Sequence, residues 1–536
     1  VICGQVIVAA DSSGLETAEA VGIRDARVVS VGSRRDVTDA AATGARVLDF
    51  GAAAVVPGLH DFHLHLVGLA RSSRALRLDD ARDAGEVAER VASAAASLDA
   101  STWLTGRGWT AAQLSDAPPG LLEDAVGGAR AFLTSHDGHS AWASAAAMRL
   151  AGVGSATPDP AGGRLERDEN GEPTGVLRET ALDLVAPRVP RLQGASLREP
   201  MDETLRELAS LGITGASEAG DYTDENGLGA DAVLGDSYSS LTDLSDLVDG
   251  RLRLTLGIPA DALPAATARG LRTGQPLAGR RTMRFGWAKE YADGSLGSGT
   301  AALFAPRTCA DRDAGILRVS ADELDALFAA GRRGRIGMAV HAIGDRAASA
   351  VLDAVARAGP PPSGVPGDRM EHAQLVRAED HARFAELGVT ASIQPIHAAA
   401  DRDMVEDCWG GRQADAFAWM SLASAGAHLA AGSDAPVEDA NPWLGLFAAV
   451  HRRLPGDRRE DWRVGEALDI GRALAAYTRG PALAVGASDE GHLRPGARAD
   501  LAVLTCDLAT LQRADDALAA IRSQLTLVDG VEVHSA

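Results

Sequence analysis

The chain has 536 residues and a formal charge of −22, from 74 acidic and 52 basic side chains. That balance argues against nucleic acid or an anionic membrane surface as a partner, because both reward clustered positive charge. A small-molecule partner is expected instead. No run of about eighteen apolar residues occurs, and the first residues lack the basic and apolar regions of a signal peptide. Cys3, Cys309, Cys408 and Cys506 show no paired spacing and read as free thiols, which predicts a reducing, cytoplasmic setting. A single one of the 52 basic residues, Lys289, is a lysine.

In chain order, VICGQVIVAA, ARVVSVG and GARVLDF are short apolar runs broken by Gly, Asp and Ser, which predicts small strands over 1–56. Apolar β-rich segments then alternate with Ala/Leu/Arg-rich helical ones, the pattern of βα units around a parallel sheet. Eight strand candidates can be counted: AAVVPGLHDF, GITGASEA, RLTLGIP, MRFGWAKEY, RIGMAVHA, DRMEHA, GVTASIQPI and HLAAGSD. Eight such strands predict an α/β fold built on a (β/α)8 TIM-like barrel over 57–485, with chemistry at the strands' C-terminal ends. The long gap after the first candidate predicts an inserted α+β subdomain at about 72–195. DYTDENGLGADAVLGDSYSS, after the second, reads as a loop or lid. From 486 to 536 the β pattern returns, with a DG hairpin turn in LTLVDGVEVHSA. One small β-sandwich assembled from both termini is expected.

The candidate chemistry lies where the apolar strands stop. In DFHLH, side chains two apart share a face, so His63 and His65 project together and can grip one metal ion. His341 in MAVHAIGD and His372 in RMEHAQ end successive strand candidates, about one βα repeat apart. Asp434 in LAAGSDAP ends the eighth, where a carboxylate is rarely placed for packing; a helix cap or turn is the alternative. Lys289 ends the fourth. An ammonium can lose its proton when buried near other cations, whereas a guanidinium effectively cannot. The neutral amine can take up carbon dioxide as a carbamate, whose two oxygens can bridge two metal ions. That is a chemical reason to keep one Lys among so many Arg.

The strings PGLHDFHLH, WAKEYADGSLGSGTAAL, VHAIGDRA, RMEHAQLV, SIQPIH, GSDAPVED and LRPGARADLAVL resemble, in order, the motifs of the amidohydrolase superfamily. The nearest branch is amidohydrolase family 3, which includes N-substituted formamide deformylases. His60 and Ser144 depart from the family pattern. The resemblance implies that His63 and His65 hold one metal, His341 and His372 another, with Lys289 carboxylated between them. Asp434 would bind the first metal and carry protons. The implied reaction is hydrolysis of an amide, formamide or cyclic amide by metal-activated hydroxide. Zinc, as one or two ions, suits imidazole and carboxylate ligands. The resemblance also implies a homodimer, since related barrels often dimerise.

For substrate contacts, His136, Asp137, His139 and Trp142 in the insertion and Trp287, Tyr291 and His397 near strand ends are the candidates. The remaining alternatives are deamination, lactone or ester hydrolysis on the same site, Schiff-base lyase chemistry at Lys289, and a non-catalytic scaffold.

Overall fold

A computed structural model describes residues 1–79, 81–96, 98, 102–114, 117–118, 120–220, 234–309 and 313–536. Eight parallel strands form its central sheet in sequence order: β1 (Leu59–Leu64), β2 (Ile213–Glu218), β3 (Arg253–Pro259), β4 (Met283–Tyr291), β5 (Met338–Ala342), β6 (Arg369–His372), β7 (Thr390–Ile393) and β8 (His428–Ala431). Most are buried along their whole length, as a parallel sheet covered on both faces requires. The seam between β8 and β1 is bridged by the Asp434 amide, which donates to His63 O at 2.8 Å, and the His65 amide, which donates to Ala435 O at 2.9 Å. The chain approaches so closely there that a Cβ on Gly432 would strike the His63 amide.

The predicted strand AAVVPGLHDF divides at Pro57–Gly58. Leu48–Pro57 belongs to a different sheet, and only Leu59–Leu64 enters the barrel. That other sheet has seven strands, in the order 531–535, 523–528, 501–507, 48–57, 2–11, 14–24 and 27–32, so both chain ends contribute. It curls on itself until Val28 N donates to Ala497 O at 2.9 Å, enclosing Val6, Val8, Val55, Leu501 and Val503 in a sandwich-like core. The DG turn forms as expected, with Asp529 and Gly530 at φ 51° and 72°.

Between β1 and β2 stands a six-stranded sheet running from Leu76–Arg77 to Pro173–Glu179, backed by helix Ala84–Ala95. Trp142 is absent from the lining of the cavity above the barrel mouth; it is 5% exposed, lies opposite Leu133 on the neighbouring strand and belongs to this subdomain's core. Trp287 is absent from that lining too. It precedes Lys289 by two residues and so lies deeper in the barrel, packed against Phe62 beneath the Arg369 guanidinium, with its indole N–H given to Gly367 O at 2.8 Å. An aromatic on an inward-facing strand position fills the barrel floor when it sits below the ligand layer.

Of the expected lid, 221–233 lies outside the described residues. Asp236–Asp243 is a helix, anchored by Asp236 to Arg71. Cys309 and Cys408 are not free thiols; they form a disulfide, while Cys3 and Cys506 are free. Their separation of 99 residues hid the pairing, which arises where the loop after β4 meets the end of helix Arg402–Cys408, with Thr308 N donating to Cys408 O at 2.9 Å. The bond removes the thiol argument for a reducing compartment. Among the described residues no helix is long and apolar enough to cross a membrane.

Candidate active site

Asp434 lies at the centre of the barrel mouth, and four imidazoles face its carboxylate. His63 and His65 reach Oδ1 through Nε2 at 3.3 and 3.2 Å. His372 Nδ1 and His397 Nε2 face Oδ2 at 3.9 and 3.6 Å. Asp434 and His372 both hold left-handed backbone, at φ 63° and 73°. Such a conformation costs a non-glycine residue about 1–3 kcal/mol, and it persists only where the surroundings over-determine it. At Asp434 they do so through its amide bond to His63 O and the Val437 amide donating to Asp434 O at 2.8 Å.

An outer ring of buried groups sets the direction of these side chains. Glu371 accepts from His63 Nδ1 and is gripped by Arg369, whose Nη2 donates to Oε2 at 2.8 Å. Burial alone would raise the Glu371 carboxyl; Arg369 and His63 outweigh it and hold the group well below the usual range. With Nδ1 committed to Glu371, the His63 lone pair is left on Nε2, aimed at the site. Asp61 accepts from Ser433 N at 2.9 Å and His63 N at 3.2 Å, and burial pushes it up to about 7. Asp293 accepts the Ile343 and Gly344 amides at 3.0 and 2.8 Å, shaping the turn that follows His341.

Lys289 is 3% exposed, with Nζ 4.7 Å from the Tyr291 ring centroid, and Tyr291 pairs in register with His341. His341 Nε2 donates to Gly294 O at 3.0 Å, which leaves the lone pair on Nδ1. The His341 and His372 rings stand 4.6 Å apart. Burial holds both imidazoles well below their ordinary pKa, helped at His341 by the neighbouring His372, His139 and Lys289 and opposed at His372 by Asp434. They are therefore neutral, the form that binds a metal. Burial would raise the Asp434 carboxyl, but the imidazoles facing it, His63 foremost, outweigh burial and hold it well below the usual carboxylate range.

The donor set fits a divalent cation. His63 Nε2, His372 Nδ1 and His397 Nε2 are all buried and have no hydrogen-bond partner. Leaving such an atom unpaired costs about 1–3 kcal/mol, and here three converge on one carboxylate. His63, His65 and Asp434 bring their ligand atoms within 4.8 Å of one another.

The inserted subdomain roofs a cavity of about 600 Å³ above this cluster. His136, Asp137, His139, Tyr291 and His397 line it, with Trp109, Phe132 and Met404 as apolar wall. His139 Nδ1 pairs with Glu179 at 3.0 Å; burial would lower this imidazole, but Glu179 carries it up to about 9. Glu179 also takes Arg318 Nη1 at 3.1 Å. Asp137 accepts from Ser135, Ser295 and Ser298, tying the roof to the loop after β4. His136 Nε2 meets Glu438 at 3.1 Å. Ser144 caps helix Ala145–Ala151, and His60 pairs with Ser217 at 3.0 Å, so neither departure from the family pattern reaches the cavity.

Sequence reasoning missed Glu371, Asp293, Glu179 and Glu438. A signal for Glu371 was present, since Arg369 and Glu371 alternate on one strand and a charged pair on a buried strand must serve something inward.

The amidohydrolase family model matches residues 46–534. The chain is 30% identical over 516 residues to the protein LONG AFTER FAR-RED 3 of Arabidopsis thaliana, covering 92% of this chain and 85% of that one. It is 28% identical over 550 residues to N-substituted formamide deformylase of Arthrobacter pascens, covering 96% and 94%. The fold matches the crystal structure of an uncharacterized metal-dependent hydrolase from Pyrococcus furiosus with a TM-score of 0.72 and 26% identity, over 94% of this chain and 98% of the other. With its strand-end histidines gathered around one aspartate, the chain belongs to the amidohydrolase family.

Proposed function

We propose that the protein is a metal-dependent hydrolase that opens a C–N bond of a small amide, formamide or cyclic amide, releasing an acid and an amine. The observation that carries this reading is the set of three buried imidazole nitrogens that face Asp434 at 3.3 to 3.9 Å and make no hydrogen bond. The formamide deformylase relative supports the bond class. His63, His65 and Asp434 would hold one ion; His341 and His372, with Lys289 as its carbamate, would hold another, zinc being favoured by the ligand types. Such ions, when bound, polarise a carbonyl and bring the pKa of water down to about 7. Asp434 then takes the proton of the attacking water and passes it to the leaving nitrogen. His136, His139 and Tyr291 orient the substrate within the cavity, whose apolar wall suits an organic amide.

The test is a screen of N-formyl, N-acyl and cyclic amides, read by amine release, on protein stripped by chelation and reconstituted with zinc and bicarbonate. Activity should vanish on chelation and return on reconstitution. Activity indifferent to chelation, or borohydride trapping of a carbonyl compound on Lys289, would transfer the assignment to Schiff-base chemistry. Lys289→Arg should lose activity while keeping its charge, and near-normal turnover in that variant would overturn the bridging role.

A further inference from the structure

We propose that His397 is a metal ligand, and that His372, His397 and Asp434 form a cation position that stands without Lys289. This rests on the metal-dependent reading above but departs from it over the second ion, which it moves from His341 and carbamylated Lys289 to His397, keeping His372. His372 Nδ1, His397 Nε2 and Asp434 Oδ2 lie within 4.8 Å of one another. The three residues are buried, at 5%, 8% and 5% exposure. Ligand atoms about 2.1 Å from a tetrahedral centre stand about 3.4 Å apart, close to the 3.9 and 3.6 Å from the two imidazole nitrogens to the carboxylate oxygen. The carboxylate thus presents Oδ1 to the His63 and His65 pair and Oδ2 to this one.

The surroundings of His397 supply an independent argument. Its Nδ1 lies 3.2 Å from Gln374 Nε2, while Gln374 Oε1, also buried, has no partner. Turning the near-isosteric amide end for end lets Oε1 accept from Nδ1–H. That places the lone pair on Nε2 and satisfies Oε1 in one move. Gln374 then does for His397 what Glu371 does for His63. The His372 and His397 rings lie nearly parallel, 8° apart in plane at 5.9 Å, so both can turn toward one centre without clashing. Among the described residues, the groups of three or more His, Cys, Asp or Glu that could share an ion are the two built on Asp434, and neither includes His341. A cation here would remain when Lys289 carries no carbon dioxide.

The experiment is metal content per chain after zinc loading and gel filtration, on full-length wild type, His397→Ala, His397→Gln and Lys289→Met, with thermal unfolding as the check on fold. Wild type and Lys289→Met should retain about two equivalents and the His397 variants about one, as for a two-metal site that loses one position. In wild type, zinc should also protect His397 from diethylpyrocarbonate, read by peptide mass spectrometry, which keeps the test valid if both His397 variants unfold. Retention of about two equivalents by His397→Gln, or equal modification of His397 with and without zinc, overturns the proposal. A drop to about one in Lys289→Met but not in His397→Gln also overturns it and leaves the hydrolase reading intact. Wild type that binds no zinc removes the hydrolase reading as well.

Discussion

The barrel mouth and its roof are both dense in histidine and carboxylate, yet they are built on opposite terms. Around Asp434, buried nitrogens lack hydrogen-bond partners. In the roof, His139 is matched by Glu179 and His136 by Glu438, and Asp137 is bonded to three serines. Buried nitrogens without hydrogen bonds that converge on one carboxylate suit a guest cation, whereas a satisfied network holds shape. Distance to the substrate cavity does not separate the two regions, since residues of both line it.

The comparison is tested most severely at Asp434. Asp434→Asn should lower kcat by about 10³-fold, within the range for removing a general base, while the amide oxygen keeps substantial metal. Turnover near wild type would break the contrast outright. Next is Glu371→Gln, which leaves His63 without its anionic partner and should weaken metal affinity by about 10- to 100-fold, read by competition with a chromogenic chelator. Unchanged affinity would mean the outer ring serves folding alone. In the roof, His139→Gln should raise KM by about 10-fold, the weight of one hydrogen bond, with metal content unchanged. Loss of metal in that variant would move His139 into the ligand cluster. Smallest is Trp142→Phe, which removes part of a buried ring and should cost about 1–2 kcal/mol of stability, with kcat and KM as in wild type; a raised KM would return Trp142 to the cavity.

Much of the barrel was legible because its strands are buried on both faces and end in residues with no packing purpose. All eight strand segments are present, the first displaced by the break at Pro57–Gly58. The strand Gly14–Arg24 escaped notice because GLETAEAV has no apolar run; it lies near the sheet edge with its first half exposed. Trp142 and Trp287 were misplaced since composition cannot tell a cavity wall from a core. Glu179 and Glu438 are joined to their histidines across 40 and 302 residues, and Cys309 to Cys408 across 99. Contacts of that range arise from how the subdomain settles on the barrel and leave no trace in local pattern.

The seven-stranded sheet carries a consequence for synthesis. Strand 48–57 lies between 2–11 and 501–507, with Val55 opposite Val503. While the chain is being made, the whole barrel and insertion are translated before that neighbour exists. One edge of an apolar strand therefore stays open through nearly all of translation, and open edges invite pairing with other chains. Ribosomal stalling or truncation before residue 501 would leave a barrel with an adhesive flank.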